Sequence, residues 1–119
     1  MTDTTIDRYI DLADLAVYDE SAPAELLARF ALDATVRMGP EPVHGHAAVA
    51  AFYRAHFASF GDTRHYWNTT VLDDATLRAE WVCAARMADD QLITVARVEH
   101  AQNTAETRSQ RRGSLVNMC

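Results

Sequence analysis

The sequence predicts an α+β domain in which helices come first and a mainly antiparallel sheet follows, with the helices covering one side of that sheet. Apolar residues recur at helical spacing through the first sixty positions. Beyond them, segments with strand-like alternation fill 64–102. Turn residues punctuate the chain, and no repeat or linker divides it, so residues 1–119 read as one domain.

Taken in order, Asp3 or Thr4 caps a first helix that carries Ile6, Tyr9, Ile10, Ala13, Ala16 and Val17 on one side. Ser21-Ala22-Pro23-Ala24-Glu25 is a stop and a restart, because serine is a good N-cap and proline is tolerated in a first turn. The second helix, 22–31, buries Leu26, Leu27 and Phe30. A short strand follows at Thr35–Met38, then a turn at Gly39-Pro40-Glu41-Pro42 and a second short extended piece at Val43-His44. Gly45 introduces a third helix to about Phe60, with Val49, Phe52, Tyr53, His56, Phe57 and Phe60 on one side, and Gly61-Asp62 ends it. Strands are expected at 64–72, 76–87 and 92–102. The middle one alternates cleanly: Leu77, Ala79, Trp81, Cys83, Ala85 and Met87 are apolar, and Arg78, Glu80 and Arg86 face the other way. In the tail from Ala105, Arg108-Ser109-Gln110-Arg111-Arg112 is either a final strand or a solvated end, the strand being preferred.

Bulk properties exclude several classes of function. A chain of 119 residues, 49% hydrophobic and 24% charged, is ordinary for a soluble domain that buries about two-thirds of its unfolded surface. Its apolar runs fall far short of the ~20 residues a membrane span needs, and its polar, acidic start opens no signal-peptide pattern. Cys83 and Cys119 form neither a disulfide framework nor a metal spacing, so a cytoplasmic protein is expected. A net charge of −6 argues against nucleic acid, whose phosphates require a basic face. All eleven basic residues are arginine, which excludes every mechanism built on a lysine Schiff base. His44-Gly45-His46 looks like a metal pair, yet no third ligand follows at useful spacing, and turn residues are the preferred explanation. There is no phosphate-cradling glycine loop and no Gly-x-Ser-x-Gly elbow.

Pairing decides which side chains meet. With three-residue loops at Asp73-Asp74-Ala75 and Asp89-Asp90-Gln91, the first hairpin pairs Trp67 with Trp81 and His65 with Cys83. The second then pairs Trp81 with Glu99 and Cys83 with Arg97, and sets Glu80 opposite His100. A two-residue loop in the second hairpin would set Glu80 against Glu99, which is unfavourable. The expected rows are therefore Trp67-Trp81-Glu99 and His65-Cys83-Arg97, on the face the helices cover. Ionisable groups are costly there unless paired or employed. Two explanations stay open: an ion pair of Arg97 with Glu99 plus a satisfied core histidine at His65, or a working site. Cys83, between apolar neighbours, reads as core rather than nucleophile. On the opposite face Tyr66, Val82 and Val98 would leave apolar surface exposed, which predicts a homodimer through that face.

Two segments carry a family resemblance. Phe30-Ala31-Leu32-Asp33-Ala34-Thr35-Val36 and Gly45-His46-Ala47-Ala48-Val49 resemble the ketosteroid isomerase and SnoaL-like families of the nuclear-transport-factor-two-like superfamily, over roughly residues 5–102. The resemblance implies a cone-shaped, curved antiparallel sheet covered by three N-terminal helices and enclosing one pocket for a small apolar molecule. It also implies roles. Tyr9 is similar to the isomerase tyrosine that donates to the developing oxyanion, and Tyr53 to a helper tyrosine on the third helix. Val98-Glu99-His100 resembles the second oxyanion donor, with glutamate in place of aspartate. The general-base aspartate falls on Met38, whose thioether takes no proton, so steroid isomerisation by the usual route is not expected. The Asp-Arg-Asp arrangement of the superfamily's epoxide hydrolases finds no match.

The expectation is thus an acid–base enzyme without cofactor or metal, performing cyclisation, isomerisation or dehydration on a polycyclic or terpenoid-like compound. Glu99, His65 and Tyr9 would be catalytic, with Trp67, Trp81, Arg97, Met38, Tyr53 and Cys83 around the substrate. The competing expectation is a non-catalytic binding or dimerisation module that has lost its base.

Overall fold

A computed structural model describes residues 4–103 and 114–119. The elements are α1 (Thr5–Leu15), α2 (Ala22–Leu27), β1 (Phe30–Val36), β2 (Val43–His44), α3 (His46–Ala58), β3 (Phe60–Val71), β4 (Thr76–Met87), β5 (Leu92–Asn103) and β6 (Leu115–Met118). They form one curved, unclosed sheet in the order β2-β1-β6-β5-β4-β3, with the helices on its concave side. The α+β cone is therefore the fold. Every pairing is antiparallel except β1 with β6, which is parallel, so the sheet is mainly antiparallel as expected.

Thr4 is the cap that forms. Its hydroxyl accepts from the Asp7 backbone N–H while the Asp7 carboxylate accepts from the Thr4 N–H, satisfying two donors a helix start leaves orphaned. Gly45 precedes α3 at φ 88, a backbone region costly for a side chain with a Cβ. Ile6, Ile10 and Leu12 of α1 and Leu26 of α2 are fully buried against Val36, Val49, Leu115 and Met118.

The second helix ends at Leu27 and not at 31, and the strand expected at Thr35–Met38 begins five residues earlier, at Phe30. Its burial does not alternate, because the register with β6 shifts between Phe30 and Thr35. Alanine- and leucine-rich residues that look helical are thus drawn into the sheet by a partner far along the chain. Likewise Phe60, Gly61 and Asp62 belong to β3 instead of ending α3. Arg108–Arg112, offered as a last strand, lie outside the described residues. The strand at the chain's end is Leu115–Met118, inserted between β1 and β5.

The first hairpin has the expected register, with Trp67 opposite Trp81 and His65 opposite Cys83. The second is offset by two residues: Trp81 faces Arg97, Cys83 faces Val95 and Ala79 faces Glu99, while Glu80 faces Val98. The loop does hold three residues, but they are Ala88-Asp89-Asp90. Met87 N–H donates to the Gln91 carbonyl and Asp90 N–H to that of Met87. Asp90 sits at φ 73, a conformation that aspartate tolerates better than most residues. A shift of two preserves the face of every side chain, so Glu99 and Arg97 still point inward, each one row from its expected place.

Candidate active site

Helix α1 is tied to β3 by two carboxylates seven residues apart, hence on one line of the helix. Asp7 accepts from the Trp67 indole N–H at 2.9 Å and from the Thr69 hydroxyl. Asp14 accepts from the Thr63 hydroxyl at 2.9 Å, the His65 backbone N–H at 2.9 Å and His65 Nδ1 at 2.6 Å. The four partners are alternate residues of one strand, all facing the helix. Burial pushes both carboxyls upward, yet these hydrogen bonds outweigh it and hold both below the ordinary range. An ionised carboxylate only accepts, so Nδ1 of His65 is the protonated nitrogen of that bond, and in the neutral ring Nε2 is the acceptor of a residue that lines the cavity.

Between α1, α3 and the sheet lies a cavity of about 330 Å³. His65, Cys83, Trp81, Glu99, Arg97, Met38 and Tyr9 all line it. The His65 and Trp81 rings lie 5.2 Å apart. Glu99 is 3% exposed, and its Oε2 has no hydrogen-bond partner. Burial raises its pKa, against the Trp81 indole, the Arg97 charge and His65, which pull it down. Trp81 therefore separates two polar ends, one a carboxyl biased toward its neutral form and the other an imidazole oriented by a carboxylate.

Tyr9 and Tyr53 share a buried hydroxyl–hydroxyl bond of 2.9 Å. Burial raises both phenols above their ordinary value, with Glu99 adding to each, so both stay neutral. Tyr9 reaches the cavity wall; Tyr53 lies behind it. Trp67, expected beside the substrate, is also absent from the wall, because its indole is held on Asp7. No ion pair joins Arg97 to Glu99; Arg97 Nη1 donates instead to the Met38 carbonyl at 3.4 Å. Burial pushes the Cys83 thiol up, leaving it a weak nucleophile. His44 bonds Thr35 Oγ1 at 2.8 Å, and no group of three His, Cys, Asp or Glu among the described residues is placed to hold a metal.

Two residues escaped the sequence reading. Asp14 follows Ile10 by four and Asp7 by seven, a carboxylate line bordering the apolar stripe of α1; that spacing was the available signal. His56, stacked on Phe52 and 4.8 Å from the Phe60 ring, lines the cavity, with its pKa lowered by burial and by His65.

Residues 9–113 match the SnoaL-like domain family. The chain belongs to that family. No curated protein matches it. Among solved structures, an NTF2-like protein of unknown function from Exiguobacterium sp. 255-15 is 26% identical, with a TM-score of 0.79 over 97% of this chain and 94% of that one. A Δ5-3-ketosteroid isomerase from Mycobacterium sp. is 19% identical, with a TM-score of 0.68 over 97% and 90%. RV0760c from Mycobacterium tuberculosis, in complex with estradiol-17β-hemisuccinate, is 15% identical, with a TM-score of 0.69 over 97% and 91%. These structures share the fold, and a fold does not by itself fix a reaction, so the side chains on the cavity wall must decide the chemistry.

Proposed function

We propose that this SnoaL-like protein is an acid–base enzyme that isomerises, cyclises or dehydrates a small apolar carbonyl or hydroxyl compound without metal or nucleotide. The observation that carries this is the pairing, across Trp81, of a buried Glu99 with an unpartnered Oε2 and a His65 oriented by Asp14. Glu99, its pKa raised by burial, hydrogen-bonds or protonates the substrate oxygen, and Tyr9 donates to the same oxygen while bonded to Tyr53. Nε2 of His65 takes the proton from the adjacent carbon. In dehydration the Glu99 proton leaves with the hydroxyl as water, the C–O bond breaks, and the C–H electrons become the new double bond. In isomerisation the proton returns at another carbon. His65 thereby supplies the base that Met38 cannot.

The test is hydrogen exchange at the α-carbon of 2-tetralone in deuterated buffer, followed by NMR. The protein should accelerate it, and Glu99→Gln should lower the rate by about 10²–10⁴ with affinity nearly kept. Binding without exchange above buffer would favour the second reading, a ligand-binding module, for which Met38 at the usual base position speaks.

The same proposal includes a homodimer through the outer sheet face, where Tyr66 is 71% exposed beside the exposed Val82 and Val98. Sedimentation at tens of micromolar, roughly where a moderate interface associates, should give a dimer; a monomer there would refute it. No helix among the described residues is long and apolar enough to cross a membrane, and the free Cys83 and Cys119 suit a reducing, cytoplasmic setting.

A further inference from the structure

Of the described residues lining the cavity, only Gly39 and Arg97 are exposed; the others are buried or half-buried. These two therefore mark its mouth, where Arg97 Nη1 donates to the Met38 carbonyl at 3.4 Å. Arg97 is the only arginine among the described residues of the wall. Among the described residues its guanidinium has one long bond to a carbonyl and no carboxylate partner, although it carries five donors. Glu99 does not fill the gap: the Arg97 charge acts on it, but the two form no ion pair, standing two residues apart along β5, roughly 7 Å at the Cα, with Glu99 buried and Arg97 exposed.

The volume limits what enters. A closed apolar cavity of ~150 Å³ accommodates one benzene ring. About 330 Å³ therefore suits two rings, not four. A two-ring compound with its reacting oxygen at Glu99 leaves its far edge at the mouth, facing a planar cationic fork whose geometry matches a carboxylate. The chain's net charge of −6 repels anions at long range, but salt screens this beyond about 8 Å, so the local cation decides.

We infer that the ligand is a one- or two-ring compound bearing a carboxylate, held at the cavity mouth by Arg97. This rests on the cavity being the ligand site proposed above and not on the acid–base roles within it. The test is titration of the full chain with 6-hydroxy-2-naphthoate and with 2-naphthol, read by tryptophan fluorescence and calorimetry. The naphthoate should bind about tenfold or more tighter, with an advantage that shrinks as salt rises. Arg97→Gln should erase that advantage while leaving 2-naphthol affinity unchanged, and Arg97→Lys should restore part of it. Equal affinities in the parent protein, or equal weakening of both ligands by Arg97→Gln, would overturn the inference and leave the site standing. Binding of neither compound would overturn the site and the inference together.

Discussion

Asp14 on α1 and Glu99 on β5 are two carboxyl groups beside one cavity, and they are pushed to opposite sides of the ordinary range. Burial raises both. Asp14 receives three hydrogen bonds from β3, two of them from His65, and these outweigh burial. Glu99, more deeply buried, keeps one oxygen unpartnered, and burial wins. The difference teaches that donors supplied by a neighbouring strand, more than depth alone, decide whether a carboxyl here is a fixed anion or a proton carrier. Two experiments sharpen or break that contrast.

The largest effect belongs to Asp14→Asn. Asparagine has one acceptor oxygen where Asp14 uses two. With its oxygen toward His65 Nδ1, its amide opposes the His65 backbone N–H. Turned over, the amide donates to Nδ1 and forces the proton onto Nε2, which can then no longer accept one. Exchange into 2-tetralone should fall by about 10²–10⁴ with binding preserved. An unchanged rate would remove Asp14 and His65 from the chemistry.

A smaller effect is read by thermal unfolding against pH. Asp14 has a lowered folded pKa, so its stabilisation is present above the unfolded value and is lost as pH falls through the folded one. Asp14→Asn should therefore be destabilised at neutral pH, with the gap to the parent closing in acid. Glu99 has a raised folded pKa, so its ionisation costs stability as pH rises past the unfolded value and above the folded one. Glu99→Gln should gain roughly a few degrees at neutral and alkaline pH, a gain that vanishes in acid. Identical pH dependence in the two variants would abolish the contrast.

Local pattern alone determined much of this protein. Helical spacing located α1 and α3, and strict alternation located β4. The turn at Asp73-Asp74 fixed the first hairpin's register, because its loop admits one pairing that keeps apolar beside apolar. Parity then placed His65, Trp81, Arg97 and Glu99 on one face whichever three-residue loop closed the second hairpin. Other features depended on contacts that no local pattern carries. β1 starts at Phe30 because β6, from the end of the chain, pairs with it. Asp90 adopts a left-handed turn that moves Glu99 and Arg97 by one row. Asp14, one turn beyond Ile10 on α1, becomes the partner of His65 only when helix and strand pack. Whether each carboxylate meets donors or an apolar wall is settled by such long-range packing, and that environment sets its charge.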